Sequence, residues 1–421
     1  MHNLTLIVSI IFGDTIKHMI KYDVVIIGGC GHVGLPLGVK FAEKGKRVLL
    51  VDSNLEYVKK VNSAEAPFIE EGLEESLKST VLVTKLLRAT SDISELKYAD
   101  NCIVTIGSPT NEHFSHDNSN LKKVLLEISK FLSPGSLIIL RSTLFPGTTK
   151  WARKILSKTH NGVCYCPERI LQGKSLSELE ELPQIIATDD NLVYEKAREL
   201  FSVFTQDAIK TSPEEAEFAK LFANSYRYMT FALVNEFYSI ANSAGLNFNR
   251  IHQIMTQGYP RASGLPKPGF AAGPCLMKDT VQLVSFAQNK FLLGTAAVMT
   301  NEGMAEYVIS EIQKSVNLSV LTVGLLGMSF KPEIDDTRSS LSFRILKLLE
   351  IRALKVICND PFVIDQSSFR PIEYLKNNCD ILIICTPHET YKKNLLDFQK
   401  PIVDIWGFLS DNTNIQAQLN K

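Results

Sequence analysis

Apolar residues along this chain follow two rhythms that alternate. Short, uninterrupted, β-branched runs, such as "DVVII" before Gly28, "RVLLVD" ending at Asp52, "NCIVTIG", "SLIILRS" and "VCYCPE", predict strands buried on both faces of a mainly parallel sheet. Between them lie stretches with helical spacing. One runs from the glycine turn through Lys44, with Gly45 as its predicted stop, and "VLLEISKFL" and "GTTKWARKIL" follow. Strand–helix alternation of this kind predicts a doubly wound α/β unit.

At Ser212 the rhythm changes. "SPEEAEFAKLFANSYRYMTFALVNEFYSIANSAG" has no proline after Pro213 and no glycine before Gly245. Phe218, Leu221, Phe222, Tyr226, Met229 and Leu233 recur at helical spacing, which predicts one long helix with an apolar face for a partner. Ser212 suits its cap, and Glu214 and Glu215 suit the positive end of its dipole. A second helical run, "TAAVMTNEGMAEYVISEIQKSV", follows a loop that carries Cys275. The first rhythm then returns in "LTVGLLGMSFKPE", "KVICNDP" and "CDILIICTPHE". The expected architecture is α/β: two Rossmann-like doubly wound domains joined by a long central helix and a helical middle domain. The expected segments are an extension that does not conform to the pattern (1–20), a dinucleotide-binding Rossmann domain (21–211), a central helical dimerisation domain with the Cys275 loop (212–315), and a C-terminal Rossmann-like domain (316–421).

Composition narrows the function. Hydrophobic residues make up 45% of the 421, enough to fill large cores, and 45 basic residues balance 45 acidic ones. That balance gives no reason to expect nucleic acid or an acidic membrane surface as a partner. "LTLIVSIIF" near the start is too short to span a bilayer and lacks the basic start and cleavage site of a secretion signal. Of the eight cysteines, Cys102, Cys164, Cys358, Cys379 and Cys385 sit in or beside strand-like runs, where a free thiol behaves as a small hydrophobe. Cys164-x-Cys166 has no second pair, so no metal site is expected. The usage fits the reducing cytoplasm.

Candidate chemistry begins at Gly29-x-Gly31-x-x-Gly34, which has a strand before it and a helix after it. Gly29 permits the tight turn, Gly31 lets a pyrophosphate approach the backbone, and Gly34 lets helix and strand pack closely. His32 and Val33 lie inside this turn and are grouped with it. Asp52 ends the next strand, where an acid binds ribose hydroxyls and repels a 2′-phosphate, so NAD is expected over NADP. "GLLGMSF" lacks the third glycine and is expected to serve a tight turn. Lys331 and Arg338 on the following loop together suit a diphosphate. Cys275 stands in a Gly/Pro loop near Lys278 and Asp279, and these local features balance a nucleophile evenly against a plain loop cysteine. Glu217, Lys220 and Asn224 share one face of the long helix and tip the balance, because beside a thiol and a nicotinamide Lys220 and Asn224 suit oxyanion stabilisation.

In order and combination, "GGCGHVGLPLG", "SPTNE", "RSTLFPGTT", "CPERILQG", "EAEFAKLFANSYRYMTFALVNE", "GFAAGPCLMKDT" and "GMSFKPEIDDTR" resemble the nucleotide-sugar 6-dehydrogenases. The resemblance covers the UDP-glucose and UDP-N-acetylmannosamine dehydrogenases and runs from about Lys21. It implies NAD-dependent four-electron oxidation of the C6 hydroxyl of a UDP-sugar to the uronate through a thiohemiacetal and thioester on Cys275. Lys220 and Asn224 match residues that hold the substrate oxygen. Asp279 matches an acid that handles water and protons, and Thr143 and Glu168 match residues that position water and assist proton transfer. Thr143 is also grouped with the cofactor residues. Arg261 resembles an arginine given to the substrate by a neighbouring subunit, which implies a homodimer built on the long helix. Lys331 resembles a substrate-binding lysine, Arg338 a residue near the cofactor phosphates, and Phe270 and Gly273 lie in the substrate-binding loop. "CPERILQG" resembles the N-acetylmannosamine branch, although Gln172 stands where the family has proline, while Lys278-Asp279 is more typical of UDP-glucose enzymes. UDP-N-acetyl-D-mannosamine or another UDP-N-acetylhexosamine is the expected substrate, with UDP-glucose as the alternative. Less favoured are a two-electron β-hydroxyacid-type dehydrogenase and a non-catalytic NAD-binding protein.

Overall fold

The computed structural model describes residues 21–107, 117–160, 162–363 and 368–420. The N-terminal extension and the "SPTNE" stretch lie outside the described residues. The chain divides into two compact units, 1–220 and 221–421, with the boundary inside the long helix Pro213–Ser243.

The first unit is built on an eight-stranded sheet: β1 (Tyr22–Ile27), β2 (Val48–Val51), β3 (Leu87–Thr90), β4 (Ala99–Val104), β5 (Leu137–Leu140), β6 (Val163–Tyr165), β7 (Gln184–Ala187) and β8 (Ala208–Thr211). Its order is β3-β2-β1-β4-β5-β6-β7-β8, and every neighbouring pair is parallel except β6 with β7. Side chains of β1 alternate between the faces. Val24 and Ile26 enter one core, and Val25 and Ile27 enter the other. Helices cover both faces, which is why these strands read as continuous apolar runs. Strand order reverses between β1 and β4, the switch point where open α/β sheets bind ligands.

The second unit holds a four-stranded parallel sheet: β9 (Thr322–Leu326), β10 (Lys355–Asn359), β11 (Ile381–Ile384) and β12 (Ile402–Val403), in the order β10-β9-β11-β12. One face packs on helical residues Val234, Tyr238, Met304 and Val308, so the helical middle and this sheet share a core. Gly327 ends β9 with φ +87°. A Cβ there would stand 2.4 Å from the Thr386 carbonyl oxygen, so the second glycine turn serves close packing, as expected.

The long helix is capped as its sequence foretells. The Glu215 amide donates to Ser212 Oγ, and the Glu215 carboxylate accepts from the Ser212 amide and hydroxyl. A hydrogen bond from the Thr211 hydroxyl, with those from the Ser212 amide and hydroxyl, pulls the Glu215 carboxyl down to about 2. Two helices that the sequence did not suggest, Phe248–Thr256 and Leu276–Phe286, complete the middle. Among the described residues, no helix is long and apolar enough to cross a membrane.

Candidate functional site

In the first unit, the glycine turn is held against β2 by the Gly28 and Gly29 amides, both bonded to the Val51 carbonyl. A Cβ on Gly29 would stand 2.6 Å from Ile26 O, and one on Gly34 would stand 2.5 Å from Gly28 O, so both positions exclude side chains for internal reasons. Gly31 differs. A Cβ there would meet nothing closer than Gly28 O at 3.6 Å. The protein itself has room for a side chain at Gly31, which leaves the space for a ligand. Val33 precedes the helix Gly34–Glu43 and supplies no side-chain cap; the Leu35 amide is taken by the Gly31 carbonyl at 2.9 Å and Pro36 has no N–H, so what this helix end offers an anion is chiefly the positive end of its dipole. Asp52 stands at the end of β2 and accepts from the Cys30 amide at 3.0 Å, which turns its carboxylate toward the glycine turn. These features fit a dinucleotide. Thr105, just after β4, fixes the turn from the other side of the switch point, its hydroxyl lying 2.9 Å from Ile27 O and 3.0 Å from Gly28 O. The sequence reading did not single it out.

His32 lies against the Phe68 ring at 3.9 Å between centroids and within 3.2 Å of the Gln172 amide nitrogen. The proline that the resemblance leads one to expect at Gln172 would offer no such donor. Thr143 is half-buried on the loop after β5. Glu168 is buried in an ion pair with Arg141, with Oε2 at 2.7 Å from Nε and 2.5 Å from Nη2. Its Oε1 accepts from the Arg169 and Ile170 amides at 2.7 and 3.0 Å. Both oxygens are thus engaged in shaping the Pro167–Ile170 turn. Arg141, a further 27 positions back along the chain, was missed because nothing local marks it. Glu217, on the same helix face as Lys220, makes long-range bonds of its own. Its carboxylate accepts from the Gly147 amide and from the Thr149 amide and hydroxyl, capping the helix Thr148–Leu156. Lys220 is half-buried on the long helix.

In the second unit, Cys275 is not a simple loop residue. It is the N-cap of the helix Leu276–Phe286, where the aligned peptide dipoles stabilise an anion. It is exposed, while the other seven cysteines are buried. Burial pushes the thiols of Cys30, Cys102 and Cys358 up to about 12 and that of Cys379 to about 11, which makes them inert. The first turn of the Cys275 helix carries Asp279, fully buried, whose amide bonds the Cys275 carbonyl at 2.9 Å. Asn224 Nδ2 donates to Asp279 Oδ2 at 2.5 Å, so the long helix and the cysteine helix are tied through these two predicted site residues. Lys278 Nζ stands 2.9 Å from Oδ1, within ion-pair distance but without the alignment of a hydrogen bond.

The other predicted residues of this unit are more scattered. Gly273 has φ +109°, and a Cβ there would meet the Phe330 ring at 2.8 Å. Phe270 is buried edge-on to Trp406, and the backbone beside it is clamped by Asn235, which bonds both the amide and the carbonyl of Gly269. Arg261 is exposed beside the Tyr259 ring. Lys331 is half-buried on the loop after β9, and Arg338 forms a forked pair with Asp336. Among the described residues, no cluster of side chains suited to a metal ion occurs.

A glycine turn at the switch point of a doubly wound sheet, backed by an acid at the end of the next strand, defines a dinucleotide-binding α/β protein, and the second unit adds an exposed thiol at a helix N-terminus. Comparison with known proteins makes this specific. Residues 22–205 match the NAD binding domain of the UDP-glucose/GDP-mannose dehydrogenase family, 214–302 its central domain, and 324–411 its UDP binding domain. The chain belongs to this family, and its cofactor is NAD. A UDP-N-acetyl-D-mannosamine dehydrogenase of Methanocaldococcus jannaschii is 31% identical over 371 residues, covering 86% of this chain and 85% of that protein. A UDP-D-ManNAc dehydrogenase structure from Pyrococcus horikoshii superposes with TM-score 0.83 at 27% identity, covering 91% of this chain and 94% of that one. A UDP-glucose dehydrogenase from Pyrobaculum islandicum shares the fold with TM-score 0.84 at 23% identity, covering 92% and 94%.

Proposed function

We propose that this protein oxidises the C6 hydroxyl of UDP-N-acetyl-D-mannosamine to the uronate, with covalent catalysis by Cys275. The observation that carries this reading is the placement of the exposed thiol at a helix N-terminus whose first turn holds Asp279, bonded to Asn224. NAD bound in the first unit supplies the hydride acceptor, and two equivalents are consumed in turn. The alcohol first loses a hydride and a proton to become the aldehyde. The Cys275 thiolate adds to the aldehyde carbon, and the resulting oxyanion takes up hydrogen bonds from Lys220 and Asn224. Loss of a second hydride from this thiohemiacetal gives a thioester. Water then attacks, the C–S bond breaks, and the uronate leaves with the thiolate restored. Asp279 handles the protons, and Thr143 and Glu168 order the water, Glu168 from within its ion pair with Arg141.

Lys331 holds the UDP portion, Arg338 lies near the cofactor phosphates, and the Phe270–Gly273 backbone shapes the sugar site. Arg261 acts on the substrate of a neighbouring copy in a homodimer. Support for the dimer comes from the long helix, where Tyr226, Leu233 and Ile240 recur at heptad spacing, 65%, 45% and 68% exposed. Domains at 21–211, 212–315 and 316–421 would divide the work into cofactor binding, dimerisation with catalysis, and UDP-sugar binding. The reaction takes place in the cytoplasm and supplies a precursor for polysaccharide synthesis.

The sugar assignment rests on the names of the relatives and on "CPERILQG". The Lys278–Asp279 pair favours a second reading, UDP-glucose. A screen of NADH production over UDP-N-acetylmannosamine, UDP-glucose, UDP-N-acetylglucosamine and their galacto epimers decides between them. Fastest turnover of UDP-N-acetylmannosamine is the expected result, and fastest turnover of UDP-glucose would replace it with the second reading. Sedimentation should give twice the chain mass, and the mass of one chain would remove the dimer.

A further inference from the structure

The second sheet also has a switch point, between β9 and β11, and two loops leave it side by side. The loop after β9 carries Lys331, and the loop after β11 carries His388. His388 is fully buried, with the Phe362 and Tyr391 rings against it at 5.0 and 5.6 Å between centroids. Its surroundings fix its tautomer. The Glu333 amide donates to Nδ1 at 3.1 Å, so Nδ1 is the acceptor and Nε2 carries the hydrogen. Nε2 lies 3.2 Å from both Asp360 Oδ2 and Ser329 Oγ. The Ser329 hydroxyl donates onward to the carbonyl of Lys331 at 2.9 Å and is therefore left to accept from Nε2.

The remainder of the cluster pins the same loop. Asp360 Oδ2 accepts the Met328 and Ser329 amides at 2.6 and 2.9 Å. Glu333 adopts a left-handed backbone, φ +62°, a strained conformation for a side-chain-bearing residue that the His388 bond helps to hold. The imidazole thus grips the Lys331 loop at both ends, through Ser329 before the lysine and Glu333 after it. A buried network of this kind is worth having only if the loop must hold one shape.

We propose that His388 is a positioning residue for UDP-sugar binding, acting through Ser329 and Glu333 to hold the loop that presents Lys331. This rests on the reading that Lys331 holds the UDP portion. His388 takes no part in the redox chemistry, so its loss should fall on binding.

The test is UDP binding by calorimetry on the full chain, with the KM and kcat of the oxidised UDP-sugar measured alongside. His388→Leu and the smaller change Ser329→Ala should each weaken UDP binding and raise KM by about tenfold, the scale of one hydrogen bond serving a charged contact, while kcat falls by less than about twofold. His388→Gln places an amide donor where Nε2 stands and should recover most of the affinity. In a Lys331→Ala background, His388→Leu should add little, because its effect runs through that lysine. The proposal is overturned if both single variants bind UDP as tightly as the unaltered protein, or if the His388→Leu loss is as large without Lys331 as with it. If the unaltered protein binds no UDP, the functional reading itself falls and takes this proposal with it.

Discussion

Replacing each glycine of the dinucleotide turn by alanine should separate folding from binding. At Gly34 the new methyl would stand 2.5 Å from Gly28 O and 2.7 Å from Gly29 Cα, both backbone atoms that cannot swing aside. Overpacking of this kind costs about 1–3 kcal/mol. Gly34 also opens a helix, where alanine recovers up to about 1 kcal/mol of propensity. The net loss is on the order of 1–2 kcal/mol, a fall of roughly 3–6 °C in the melting of the first unit. At Gly31 the methyl would make ordinary contact at 3.6 Å, and the residue adopts no left-handed backbone, so melting should hardly move. That methyl would instead occupy the approach of the pyrophosphate. Losing one backbone–phosphate hydrogen bond costs about 1.5–3 kcal/mol, which weakens NAD by roughly 10- to 150-fold. Thermal melting without ligand, followed by calorimetric titration with NAD, reads both effects. The reasoning is refuted if Gly31→Ala binds NAD as tightly as the unaltered protein, or if it melts as low as Gly34→Ala.

Other consequences follow from the same geometry. Brief treatment of the folded protein with iodoacetamide should label Cys275 and spare the seven buried cysteines; peptide mapping that finds another cysteine labelled at equal rate would contradict the exposure and burial described. Asn224→Leu leaves the buried Asp279 without its donor and should cost about 1–3 kcal/mol of stability in the second unit, whereas Asn224→Asp should also abolish turnover by facing one carboxylate with another; a stable, active Asn224→Asp enzyme would count against the assigned pair. Glu215 has a carboxyl depressed to about 2 by its capping partners, so its contribution to the long helix is complete above the ordinary carboxylate range and is lost as pH falls toward about 2. Glu215→Gln should therefore flatten the acid limb of helix stability followed by circular dichroism, and an unchanged acid limb would show that the cap does not anchor the helix.

Much of this fold was legible because parallel strands buried on both faces leave unbroken apolar runs, and because glycine turns punctuate them. β2, β5, β10 and β11 all fall inside runs read from sequence alone. The start of the long helix was legible from Ser212 and two glutamates. The helix after Cys275 was hidden for a physical reason. It begins directly behind "GFAAGP" with no side-chain cap, so the loop signal runs up to its first residue. The site was readable where chemistry is local, as at Gly29, Gly31, Gly34 and Asp52. It was not readable where a long-range partner decides a role. Glu168 meets Arg141 just beyond the ends of the neighbouring strands β5 and β6, Glu217 caps a helix 68 positions before it, and Ser329, Asp360 and His388 converge from three strand ends. Each of these pairings is created by tertiary packing and leaves no mark in the spacing of residues along the chain.

The central claim is that one thiol carries the sugar between two oxidations. Counting NADH formed per UDP-sugar consumed, with the unaltered protein and with Cys275→Ser, tests it most directly. The account predicts two NADH and one uronate per sugar for the unaltered protein, and loss of uronate formation in the variant. One NADH per sugar, or a Cys275→Ser protein that still makes uronate at the normal rate, would contradict it.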